Sequence, residues 1–256
     1  MRPISRLRQA VILTSAGAVA LTLASTSAAQ STAGIPANTF AELKSTQCEF
    51  ADWVYNPDKS AFPDTPVGRV TYKMQRYHME QAVLCLVNEA RARHLRPVGR
   101  RLRPLVIGRM IRGTPPAKIA AQRHADDAAR LRWWGTVAQV GNCVPREKQP
   151  DLCDPHINPE TKTTPEIRAR DAGFGIRVPC KQFWLAENTY TGAGRESVTP
   201  RAAVNWWMNS PDHRANILSP VFTTMYVGIA LGSADPADGS TTPANTYVQM
   251  FTRCDQ

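Results

Sequence analysis

The chain has 256 residues, a formal net charge of +10, 43% hydrophobic residues and six cysteines. No Cys-x-x-Cys pair occurs, which argues against a zinc ribbon or a thioredoxin-like protein. The positive excess favours anionic partners, but the basic stretches carry no interleaved aromatics on which bases could stack, so no specific nucleic-acid partner is expected.

Residues 1–29 read as a secretory signal peptide. Arg2, Arg6 and Arg8 form a basic start, Ala10 to Ala24 an apolar stretch, and Ser27-Ala28-Ala29 a small-residue cleavage site. The apolar run is short for an uncleaved anchor, and no later stretch could cross a bilayer. The mature chain is therefore expected to be secreted and to lack a transmembrane segment. Residues 30–68 are rich in Ser, Thr, Pro and Ala, with Phe40, Phe50, Trp53 and Tyr55 as scattered anchors. They read as an extended arm packed against a domain that fills residues 69–256.

Within that domain, Met74, Tyr77, Ala82, Cys85, Leu86 and Ala90 follow a helical period and predict a helix from about Val70 to His94. An insertion near residues 95–116 comes next. Leu102, Leu105, Val106, Ile107, Met110 and Ile111 give it the pattern of a short basic amphipathic helix, interrupted by Pro104 and Gly108. Packing against the domain is preferred over a membrane-surface role. Arg91, Arg93, Arg96, Arg100, Arg101, Arg103, Arg109 and Arg112 concentrate positive charge in this part of the chain. A solvated arginine-rich surface is the simpler reading of Arg91–Arg112, and contact with an anionic cell-surface polymer the sharper one.

A second helix is expected from Pro116 to about Trp134, with Ile119, Ala120, His124, Ala128 and Leu131 on one face. A long loop over residues 135–163 holds Cys143, Cys153 and His156, and Thr164-Pro165-Glu166 opens a short third helix ending near Gly173. Strands are expected at Gln182–Ala186, Met225–Gly232 and Tyr247–Thr252, the last two as an antiparallel hairpin. A helix beginning near Thr199 meets Pro211, where Ser210 can cap a new short helix that carries His213 in its first turn. Helices before and between the strands make this an α+β domain, a sheet covered by helices.

Four segments carry a resemblance. They are Asn209-Ser210-Pro211-Asp212-His213-Arg214-Ala215-Asn216-Ile217-Leu218, Glu187-Asn188, Leu86-Val87-Asn88-Glu89-Ala90-Arg91 and His124-Ala125-Asp126-Asp127-Ala128-Ala129. Together with His156 they resemble the CAP superfamily of cysteine-rich secretory proteins, antigen 5 and pathogenesis-related proteins, in its bacterial branch. Ala186 stands where that branch has the glycine of Gly-Glu-Asn. The resemblance implies a three-layer α–β–α sandwich with a small antiparallel sheet and a cleft on one side. An even cysteine count in an exported chain implies disulfides, and six cysteines leave their connectivity open. The preferred set is Cys48–Cys85 pinning the arm, Cys143–Cys153 closing a local loop and Cys180–Cys254 tying two strands.

The same resemblance places His156 and His213 across the cleft as ligands for a divalent metal such as zinc, with Glu187 beside them as the candidate catalytic group. Their spacing carries no metal signature of its own. A second glutamate of the family is absent, its slot falling on Ser210 or Asn209. Ser210 is three residues from His213, which invites a Ser–His–Glu nucleophile, but an N-cap is the preferred role. Asn188, Ser210 and Trp207 are assigned to the cleft, although only one of Trp206 and Trp207 can face the core. His124 reads as a hydrogen-bonded core residue. The leading function is a binding module for a lipid, sterol or glycan, and the alternative is a metal-assisted hydrolase of peptide or cell-wall material.

Overall fold

The structure, a computed structural model, describes residues 47–54, 66–94, 102–107, 114–176 and 178–255, with side chains of the first helix from residue 74 onward. The signal segment and most of the arm lie outside these residues. The helices are α1 (Pro66–Arg93), α2 (Pro116–Leu131), α3 (Val137–Val140), α4 (Pro165–Asp171), α5 (Pro200–Asn209) and α6 (Pro211–Leu218). The strands are β1 (Val106–Ile107), β2 (Phe174–Gly175), β3 (Val178–Pro179), β4 (Gln182–Ala193), β5 (Thr224–Leu231) and β6 (Ala244–Asp255). One sheet has the order β1-β5-β6-β4; a small parallel pair joins β2 to β3. Strands β5 and β4 both run antiparallel to β6, and β1 runs parallel to β5.

Alternation along the strands divides the interior into two cores, because successive side chains point to opposite faces. Met225, Val227, Ile229, Tyr247 and Phe251 pack with α1, α5 and α6. Tyr226, Ala230, Val248 and Met250 pack with α2 and with Trp133 and Trp134. The result is the expected α+β sandwich, with helices on both faces of a four-stranded sheet. Helix α2 comes unusually close because its inner face is alanine: Ala117, Ala120, Ala121, Ala125 and Ala128 are all buried.

Strand β1 is too short to cover β5, and side chains complete the edge. Glu80 accepts from the Val227 N–H at 3.2 Å, while Lys118, paired with Glu80 at 2.8 Å, donates to the Val227 carbonyl. The Gln122 amide does both jobs at Ile229, accepting at 3.2 Å and donating at 2.8 Å. Helices thus hydrogen-bond an edge that would otherwise stay open.

Disulfides join Cys48 to Cys85, Cys143 to Cys153 and Cys180 to Cys254, the preferred set. The first ties residues 47–54 to α1, where Phe50 also packs against His78, the rings tilted by 36° with centres 4.5 Å apart. Two expectations about the insertion need correction. Val106 and Ile107 form a strand beside Thr224 and Met225, not part of a helix, with Leu102 and Leu105 buried beneath. Arg91 is no surface charge: it is 1% exposed and donates to the carbonyls of Arg103, Ile217 and Ser219. It serves the C-terminal end of α6, where carbonyls need partners. Arg93 pairs with Glu89 and Arg103 is exposed; the remaining arginines of that span lie outside the described residues.

Candidate functional site

Strand β4 forms one edge of the sheet, and two neighbouring residues on it point to opposite layers. Glu187, level with Met250, faces α2 and α4; Asn188, level with Gln249, faces α6. Glu187 is buried. Its carboxylate accepts two hydrogen bonds from one Arg168 nitrogen at 2.9 and 2.7 Å and one from His156 Nδ1 at 3.0 Å. His124 Nε2 lies 3.8 Å away. Burial alone would push this carboxyl up, but Arg168 first, then His124 and His156, hold its pKa down at about 2.

Arg168 also gathers the loop that carries His156. Its other terminal nitrogen donates to the carbonyls of His156 at 2.8 Å and Thr163 at 2.7 Å. The loop has further anchors: the Cys143–Cys153 disulfide, the Trp133 indole donating to the Asp154 carbonyl at 3.0 Å, and the Asp154 carboxylate accepting the His156 N–H at 2.8 Å. The His156 ring is therefore fixed at one nitrogen while its side chain stays 33% exposed.

His213 arrives from the other layer. Thr199 caps α5 and Pro200 starts it; Ser210 ends α5 and occupies the N-cap of α6, with Pro211 at the first helical position. The Ser210 hydroxyl does not cap the backbone, however, and instead bonds His213 Nδ1 at 2.7 Å. The Trp206 ring lies 4.9 Å from the His213 ring, centre to centre. Burial lowers the His213 pKa to about 4, and charge on His156 and Arg146 adds to the effect against the opposing Asp212. Each imidazole is thus held by a different partner. Glu187 is bonded to His156 and not to His213, so the Ser–His–Glu arrangement is not assembled.

Two cleft assignments change. Asn188 is wholly buried, donating to the His213 carbonyl at 3.2 Å and to Gln249 at 3.1 Å and accepting from Asn216 at 2.9 Å. It supports α6 from below and does not line the surface. Trp207 is likewise fully buried, its indole donating to the Thr189 carbonyl at 2.9 Å; the tryptophan at the site is Trp206. His124 is the core residue expected, donating from Nε2 to the Pro155 carbonyl at 2.8 Å.

A family model, that of the cysteine-rich secretory protein (CAP) family, matches residues 119–251. The chain belongs to that family. An extracellular protein from Bacillus anthracis containing an SCP domain is 20% identical with a TM-score of 0.45; the match covers 75% of this chain and 44% of that one. This chain thus spans less than half the length of the Bacillus protein. An outer surface protein from Borrelia burgdorferi is 15% identical with a TM-score of 0.34, over 68% of this chain and 90% of that one. No curated protein matches. No helix among the described residues is long and apolar enough to cross a membrane.

In this CAP domain a divalent ion would find two nitrogen donors and not three ligands. Nδ1 of each imidazole is engaged, by Glu187 or by Ser210; the carboxylate can only accept, so His156 carries its proton on Nδ1 and has its lone pair on Nε2. Glu187 is a poor third ligand, because Arg168 already matches its charge. Among the described residues no group of three or more His, Cys, Asp or Glu side chains is arranged to hold a metal. The residues do not fit a shell of two histidines and one carboxylate. Sequence reasoning missed Arg168, which no motif near Thr164-Pro165 marks, and Trp206 as the exposed ring.

The CAP site also predicts a pH profile. Burial lowers His124, like His213, to about 4, below the 6.5 expected of a free imidazole. Between these values the unfolded chain binds protons that the folded one refuses, so stability rises with pH across that window. Unfolding free energy is expected to fall by about 2–3 kcal/mol from pH 7 to pH 4.5 through His124 alone. Equal stability at both values in denaturant titrations would show that neither imidazole is kept neutral by folding.

Proposed function

We propose that the protein acts outside the cell as a CAP-type binding module that takes a small ligand in a groove lined by His156 and His213 beside β4. One observation carries this reading: each imidazole is locked by its own partner, which leaves one nitrogen of each ring for a ligand. Polar groups fixed by a supporting layer bind without first losing much freedom. The signal-like first 29 residues, the three disulfides and the extracellular and outer-surface descriptions of the two similar structures support the location.

A divalent ion belongs to the proposal. Nε2 of His156 and of His213 would hold it, zinc suits such donors, and when bound it would offer a positive centre to a ligand oxygen. Glu187 orients His156 and is a positioning residue. The hydrolase alternative asks Glu187 to take a proton from water, and a carboxylate with a pKa of about 2 is a weak base at neutral pH. Binding is the stronger reading for that reason.

Calorimetric titration of Zn2+ into chelator-treated protein tests it. The parent is expected to bind one ion and gain Tm, and Ser210→Ala to bind more weakly while remaining folded. A His156→Ala, His213→Ala double variant should lose the binding. Undiminished binding in the double variant would place the ion elsewhere and remove the groove reading.

A further inference from the structure

At the sheet edge opposite β4, the space between α1, the start of α2 and β1 forms a cavity of about 520 Å3. That volume falls within the range occupied by small-molecule sites. Its walls are mostly apolar: Tyr77 and Leu84 from α1, Val106 and Ile107 from β1, Pro115 before α2, and Tyr226 from β5. Tyr77 and Val106 are more than half exposed and form the rim, whereas Tyr226 is buried. The cavity is separate from the imidazole groove, because β5 and β6 stand between β1 and β4.

One charged pair interrupts the apolar lining. Glu80 and Lys118 both face the cavity and meet each other at 2.8 Å. Each is also committed to β5: Glu80 Oε1 accepts the Val227 N–H at 3.2 Å, and the Lys118 ammonium donates to the Val227 carbonyl. Neither is exhausted by these bonds. An ammonium has three hydrogens, of which two are used, and each carboxylate oxygen has a second lone pair. Burial lowers the Lys118 pKa and Glu80 opposes the fall, as expected of an ion pair shielded from bulk water.

The pair sets what a ligand must carry. An anionic ligand would meet Glu80 and a cationic one Lys118, so a neutral ligand is favoured. A plain hydrocarbon would desolvate the spare hydrogen and lone pairs without replacing their bonds. An ester can only accept, and a hydroxyl must serve both partners from one atom. In a primary amide or a lactam one N–H lies on the same side as the carbonyl, with donor and acceptor about 2.3 Å apart. That spacing comes near the 2.8 Å between the Lys118 nitrogen and the Glu80 oxygen, so both bonds can form side by side. Ordinary secondary amides are trans and point the N–H away. We infer that this cavity binds small neutral primary amides or lactams with an apolar body, the amide seated on Glu80 and Lys118 and the body against Tyr77, Leu84 and Ile107. The contact makes or breaks no covalent bond.

Hydrocinnamamide is a defined probe, with methyl hydrocinnamate, N-methylhydrocinnamamide, hydrocinnamyl alcohol and hydrocinnamate as controls. Binding is read on the full chain by saturation-transfer and amide-proton NMR. The parent is expected to bind the amide with a Kd of about 1 mM or tighter, as suits a ligand this small. The Val227 and Ile107 amide protons should shift, and each control should bind at least about tenfold more weakly. Val106→Trp, at an exposed rim position, should close the cavity and cut affinity about tenfold or more, with Tm confirming the fold. Lys118→Met, if it folds, should lose the preference for amide over ester; if it does not, Val106→Trp still decides the site. Affinity for any control equal to that for the amide, or a preference retained in folded Lys118→Met, would overturn the amide assignment. Full affinity in Val106→Trp, or no binding by the parent, would overturn the site. Zn2+ is expected to leave amide affinity unchanged, and displacement of the amide by Zn2+ with shifts at His156 and His213 would place it in the groove instead. Because the two sites are separate, failure here leaves the groove reading standing.

Discussion

Replacing Arg168 with methionine is expected to destabilise the protein by about 3–5 kcal/mol at pH 7, because it strands a buried carboxylate. Methionine fills similar space and offers no donor. Glu187 would keep only His156 at 3.0 Å and the more distant His124, and the carbonyls of His156 and Thr163 would lose their common partner. The sign of the pH dependence separates this account from a simple packing defect. In the parent, Glu187 is held at about 2 against 4.5 when free, so its contribution is complete above about pH 4.5 and disappears as the pH falls toward 2. In the variant, desolvation acts with less opposition and raises the carboxyl. Protonation then relieves the strain, and the difference between parent and variant should shrink in acid. Adding Glu187→Gln to Arg168→Met should recover much of the loss at pH 7, since a neutral amide can stay buried at lower cost. An Arg168→Met protein as stable as the parent, or one whose deficit ignored both pH and Glu187→Gln, would show that the ion pair does not hold this layer together.

That arginine also marks where the sequence stops being legible. Helix α2 could be read because its apolar face repeats every turn, and β5 and β6 because they alternate across a turn rich in Ser, Asp, Gly and Pro. Strand β4 was expected to end at Ala186 and instead continues to Ala193. Its later residues Asn188, Thr189 and Thr191 look like loop chemistry, but they are satisfied by Gln249, Trp207 and Thr246, which only the folded sheet supplies. The short run at Val106 and Ile107 suits a helix or a strand equally, and its strand partner, Thr224–Met225, is far along the chain.

The candidate site divides in the same way. His156, Glu187 and His213 were marked by resemblance to a family, and the structure brings Glu187 to His156 while keeping His213 on a separate partner. Arg168 had no such mark, since its partner is 19 residues away on a strand edge and nothing local requires an arginine there. Adjacency showed that Trp206 and Trp207 must diverge, but the choice between them depends on which indole reaches the Thr189 carbonyl. The hydroxyl of Ser210 occupies the expected N-cap position, yet a side chain three residues on competes successfully for it.

Gly228→Ala should be among the most damaging methyl additions, because backbone and not side chain stands in its way. A Cβ at this position would lie 2.2 Å from the Ala121 oxygen, 2.4 Å from the Ala121 carbonyl carbon and 2.6 Å from the Gln122 nitrogen. Helix α2 would have to back off from β5, and the amide of Gln122 and the ammonium of Lys118 would be drawn from Ile229 and Val227. Overpacking usually costs about 1–3 kcal/mol, and an obstacle that cannot rotate away puts this site at or above the upper end, about 3 kcal/mol or more. His124 sits on the same helix one turn further on, so its bond to the Pro155 carbonyl and its approach to Glu187 should loosen as well. Gly141→Ala provides the contrast: no atom lies within 4 Å of its Cβ, so its loss would come from backbone strain alone at φ +75° and ψ −54°, about 1–3 kcal/mol, with no displacement of a helix. Trimming the neighbour with Ala121→Gly should not rescue Gly228→Ala, because the obstructing atoms belong to the main chain. Full rescue by that trim in denaturant titrations would mean that side-chain crowding, and not the close approach of helix backbone to strand, sets the distance between these two layers.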